Sequence, residues 1–98
     1  MYDATAMVEK LARKLFRIND RIQSLVAERD QVREELEFHR HIDDDARRDA
    51  EVSGARSDRL EAGATSADVR RFERRLRDIE RDLEKLERKR DALLGNLD

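Results

Sequence analysis

Apolar residues recur at alternating steps of three and four from Val8, through Leu11, Leu15, Ile18, Ile22, Leu25, Val32 and Leu36, with Arg29 at the one skipped position. The same spacing runs from Val69 through Phe72, Leu76, Ile79, Leu83, Leu86, Leu93 and Leu97, with Arg90 in the gap. An a/d alternation held for several heptads marks helices that pair along a narrow apolar stripe. A disordered chain has no reason to hold that period, so both blocks are read as helices. Their equal length suits a hairpin whose arms pair with each other.

Boundary signals agree with two arms. Asp3 or Thr5 can cap the first helix, and Thr65 or Ser66 the second, with Asp68 near its first-turn amides. Gly95-Asn96 suits a C-terminal stop. The expectation is one helical hairpin domain over 1–98, with arm one over 4–50, a bend or connector over 51–65 and arm two over 66–95.

The apolar positions also set a register. Antiparallel pairing can face Leu11 with Leu97, Leu15 with Leu93, Ile22 with Leu86, Leu25 with Leu83, Val32 with Leu76 and Leu36 with Phe72. The residue numbers of each pair add to 108, twice 54, so the fold-back centres on Gly54. Glycine tolerates the backbone of a tight reversal. The same register faces Ala46 with Ala62 and sets His39 beside Val69. Gly63 and the following Ala64-Thr65-Ser66 suit a distal loop as an alternative. Arg29 and Arg90 fall in the seam, where charged residues fix register or oligomeric state at a cost in stability. Their stems can lie along leucines while the guanidiniums reach water.

Composition narrows the function. Of 98 residues, 47% are charged and 4% aromatic, which argues against a thick core. Proline is absent, so long helices need not break. Cysteine is absent, which excludes disulfides, thiolate zinc sites and cysteine nucleophiles. A net charge of −2 does not describe a generally basic nucleic-acid binder. Met1–Lys10 lacks a basic stretch followed by an apolar one, and no apolar run matches a bilayer. A cytoplasmic protein without a membrane partner is expected. No nucleophile–base pair, phosphate-cradling loop or cofactor motif occurs, so neither enzyme activity nor a cofactor is expected.

The chemistry that remains is charge. Asp43, Asp44 and Asp45 follow His39 and His41, giving i,i+4 pairs His39/Asp43 and His41/Asp45. The two pairs lie on different helix faces and do not converge on one ion, so no metal site is assigned. The stretch is read as a solvated approach to the bend. Asp45-Ala46-Arg47-Arg48-Asp49-Ala50-Glu51 with Ala55-Arg56 loosely resembles the tip of Gre-type transcript cleavage factors. That resemblance implies a hairpin entering the secondary channel of RNA polymerase, with an acidic pair helping to hold magnesium. Asp45 matches the acidic position, but Arg48 stands where the family has its essential glutamate, and no counterpart of the family's globular domain is present. Small secreted hairpins with Trp-x-Gly at the bend offer a second, weaker likeness: the bend here reads Val52-Ser53-Gly54, and the chain has no tryptophan.

Two surfaces are candidates for partners. Arg70, Arg71, Arg74, Arg77 and Arg81 occupy outward b, c and f positions, where like charges at i,i+4 repel and an acidic protein or phosphates would relieve them. Tyr2, Met7, Phe16, Val26 and Leu94 lie off the seam towards the open end, where a second hairpin could dock to make a four-helix arrangement. The fold expected is therefore all-α, an antiparallel two-helix coiled-coil hairpin that dimerises. The function expected is a non-enzymatic interaction or adaptor module, or a structural subunit, with a protein partner and a homodimer. The alternative is a regulator that binds RNA polymerase or nucleic acid through an acidic-tipped hairpin or the arginine face.

Overall fold

A computed structural model describes residues 3–96 and contains two helices, α1 (Ala4–Ser53) and α2 (Arg56–Gly95), packed antiparallel along their length. The molecule is a rod of 78 × 17 × 15 Å. The antiparallel helical hairpin expected from the heptads is what the chain forms.

Asp3 starts α1. Its carboxylate accepts the Thr5 and Ala6 amides at 3.0 and 3.3 Å, so Asp3 and not Thr5 is the cap. The reversal takes only Gly54 and Ala55. Gly54 lies in the left-handed region at φ 63°, and its N–H donates to the Ala50 carbonyl at 2.9 Å. Ala55 is extended and leads directly into α2. Side chains reinforce the corner. The Ser53 hydroxyl accepts the Ala55 amide at 3.1 Å and donates to the Asp58 carboxylate, while the Arg59 guanidinium reaches the Gly54 carbonyl. At the other end α2 stops at Gly95, followed by Asn96, with no left-handed residue.

This corrects the expected connector over 51–65. Those positions are helical apart from the two-residue corner, and Thr65 and Ser66 lie well inside α2 instead of capping it. The seam explains why. The three-four step continues through His39, Asp43, Ala46 and Ala50 on α1 and through Asp58, Ala62, Thr65 and Val69 on α2, all at least partly buried. Small and polar residues hide this continuation from a search for large apolar side chains, yet they keep the period that packing requires.

Among the described residues the facing pairs follow the register centred on Gly54, while Leu97, the expected mate of Leu11, lies outside them. Leu25, Val32, Ile79 and Leu83 form one buried cluster, against which Ile22, Val26, Phe72, Leu76 and Leu86 pack. Leu36 and Ala62 are also buried. Ion pairs Arg33–Glu80 (3.4 Å) and Glu28–Arg75 bridge the helices on either side of this cluster. Arg29 and Arg90 sit half-buried in the seam and turn their guanidiniums back to Asp30 and Asp91, at 3.3 and 3.2 Å. Closure is uneven. The buried large apolar residues, Leu25, Val32, Leu36, Ile79 and Leu83, lie mid-rod, whereas Leu11, Leu15, Ile18, Leu86 and Leu93 nearer the open end are only half-buried.

Candidate interaction surfaces along the rod

Asp43 departs most from the sequence reading. It was expected to be solvated at a seam position where the core runs out, but opposite Thr65 it is only 6% exposed. The Thr65 and Ser66 hydroxyls lie 2.8 and 2.6 Å from its Oδ1, and the Arg47 Nε lies 3.3 Å from its Oδ2. Thr65 has one proton, and the Ala62 carbonyl at 3.0 Å is its other acceptor. The Ser66 hydrogen bond does most to hold the Asp43 carboxyl below the usual aspartate range; burial pushes it up, while Thr65, Arg47 and Arg70 add to the lowering. Asp43 is a buried, satisfied anion, and its chemistry is structural.

Asp44 and Asp45 do remain exposed, paired with Arg47 and Arg48 at 2.7 and 3.8 Å. All three aspartates lie along the shaft, short of the Gly54 corner. His39 stacks on Phe72 with ring centroids 4.5 Å apart, and His41 lies 3.4 Å from Glu37. Among the described residues, no three His, Cys, Asp or Glu side chains cluster as ligands for an ion.

The arginine face divides in two. Arg71 pairs with Asp68, and Arg81 lies 3.4 Å from Asp78. Arg70, Arg74 and Arg77 enter no ion pair among the described residues, although Glu73 lines the same shallow surface. At the open end, Phe16 is 67% exposed, with Met7 and Leu94 about half exposed. Val26, expected on the same surface, instead packs against the buried cluster of its own hairpin. Tyr2 lies outside the described residues.

A further surface is a groove of about 370 Å³ between the helices, floored by Ile18, Leu86 and Leu93 and rimmed by Lys14, Arg17, Arg21 and Lys89. It continues past Asp82 and Lys85 towards Leu25. Lys14 and Lys89 occupy g positions that face each other across the seam, so like charges meet where Glu28 and Arg75 attract farther along. Its signal in the sequence is the run of basic g and c positions Lys10, Lys14, Arg17 and Arg21 beside the seam. Phe38 and Leu60, more than 60% exposed, and Val52 at the bend were missed.

No helix among the described residues is long and apolar enough to cross a membrane. Comparison with protein-family models, with curated proteins and with solved structures finds no match to this chain.

Proposed function

We propose that this chain is a non-enzymatic coiled-coil interaction module, an adaptor or a small subunit of a larger assembly, acting in the cytoplasm. One observation carries the reading. Phe16, Phe38, Val52 and Leu60 lie outside the seam and are 62–87% exposed on a rod whose own core is a single thin stripe. Large aromatic and aliphatic side chains left in water are groups that a partner's surface would bury. The experiment is crosslinking in native cells followed by affinity purification of wild type, Phe16→Glu and Phe38→Glu. A protein held by the wild type and lost from at least one variant supports the reading. Identical recoveries from all three remove it.

A second reading, binding to RNA polymerase or nucleic acid, keeps one favourable observation: Arg74 and Arg77 enter no ion pair among the described residues, and Arg70 acts only at longer range on the Asp43 carboxylate. Phosphate binding through them would weaken steeply with salt. Failure to bind duplex or single strands even at low salt would dismiss the nucleic-acid form.

A further inference from the structure

The g and c positions of both helices share one long face, since Glu28 and Arg75, both g residues, meet across it. Its charge is not evenly spread. Towards the open end it carries Lys10, Lys14, Arg17, Arg21, Lys85 and Lys89 against only Asp78 and Asp82. Towards the bend it carries Glu28, Glu35, Asp45, Asp49, Glu61 and Asp68 against only Arg71 and Arg75. Six cations and two anions on one half thus mirror six anions and two cations on the other.

The apolar residues are divided in a matching way. The basic half is concave, its floor being Ile18, Leu86 and Leu93. The acidic half is studded with Phe38, 62% exposed, and Ile42, 37% exposed, one helical turn apart. One half offers an apolar groove with a positive rim, the other apolar side chains flanked by carboxylates.

We infer that this face binds the same face of a second copy, with the two rods antiparallel and fully overlapped, so that the basic half of each covers the acidic half of the other. A two-fold axis through the middle of the rod makes the contact self-complementary, as a closed homodimer requires. Full overlap of two α1 helices brings Asp45 near Lys14 and Asp49 near Lys10 of the other copy, and sets Phe38 and Ile42 over the half-open seam at Ile18. Gln31 falls near the axis and approaches its own symmetry mate, while Ser24 falls opposite Glu35 of the other copy. Size is adequate: a strip most of the 78 Å long and about 10 Å wide, the spacing of packed helices, gives roughly 800 Å² per copy, a standard specific interface. The parallel arrangement would stack six cations on six cations and is disfavoured by the same charges.

This inference goes beyond the module reading by naming the occupant, and its test separates the two. Lys14→Cys and Asp45→Cys chains, reduced, mixed and oxidised, should crosslink to each other far more than either does to itself. The two positions are 31 residues apart on one helix, about 46 Å at the helical rise, so a bond within one chain is excluded. A second pair of variants keeps the test independent of cysteine chemistry. Asp45→Lys/Asp49→Lys and Lys10→Asp/Lys14→Asp each repel themselves and should weaken self-association by more than about tenfold. Mixed, the four altered positions face opposite charges again and a dimer of twice 11.6 kDa should return. Helical circular dichroism reports that each variant is folded, since all four positions are exposed. A wild type that stays monomeric at high micromolar concentration, a dimer indifferent to these charges, or one abolished by Phe16→Glu alone would overturn the inference. Capture of a different protein would still leave the module reading standing.

Discussion

At Asp43 the hairpin places a carboxylate in its hydrophobic seam and satisfies it. Removing one member of a buried polar group leaves the others without partners, which costs about 1–3 kcal/mol. Asp43→Ala is therefore expected to lower stability by that order in urea unfolding, whereas Asp44→Ala and Asp45→Ala on the exposed flank stay within about 0.5 kcal/mol. The pH dependence follows from the direction of the shift. Because the folded carboxyl is held below its unfolded value, its contribution is fully present above about pH 4 and disappears as pH falls through the lower folded value. Asp43→Asn should flatten that part of the acid-unfolding curve. An acid limb unchanged by the substitution would show that the carboxylate contributes nothing there. Gly54 is the other residue the fold depends on. Space exists for a Cβ, but at φ 63° the backbone itself resists one. Gly54→Val should cost about 1–2 kcal/mol, with Gly54→Asn milder.

Among the elements, α2 was the harder to read. Its heptads from Val69 onward were legible because large aliphatic residues mark them, and the register centred on Gly54 followed from those residues and their mates on α1. The segment before Val69 was legible only in part: the register faced Ala46 with Ala62, but a connector over 51–65 competed with it. Asp58, Ala62 and Thr65 hold the seam period without hydrophobic bulk, and Gly63 with Thr65-Ser66 imitates a loop ending in a cap. What resolves the ambiguity is Asp43 on the opposite helix, a tertiary partner 22 residues away that local spacing does not announce. The polar layer and the basic groove were missed for related reasons, since both depend on which residues face each other across the seam. Gly63 tests the helical assignment directly. It is exposed, and a Cβ there meets nothing within 4 Å. Gly63→Ala should raise the melting temperature, by roughly 0.5–1 kcal/mol of stability; a neutral or negative effect would favour a loop. Packing between the elements is tested mid-rod. Ile79, 1% exposed, should cost about 2–5 kcal/mol when truncated to alanine. Leu25→Cys/Leu83→Cys should close an intramolecular disulfide, and a crosslink found only between chains would reassign the pairing.

Over the whole molecule, the outstanding feature is length. A globular chain of this size has a radius of gyration of about 13 Å, whereas the hairpin has 22.0 Å. Gel filtration will therefore overstate its mass, and early elution is no sign of a dimer. Small-angle scattering turns the same elongation into an advantage. For a rod, the radius of gyration is set by its length and responds little to thickness. Two hairpins laid side by side in full overlap would double the forward scattering while leaving the radius close to that of one. Two joined at their open ends would double the forward scattering and roughly double the radius as well. The 78 Å axis thus makes the molecule its own ruler, and a single dilution series reports both whether copies associate and along which face.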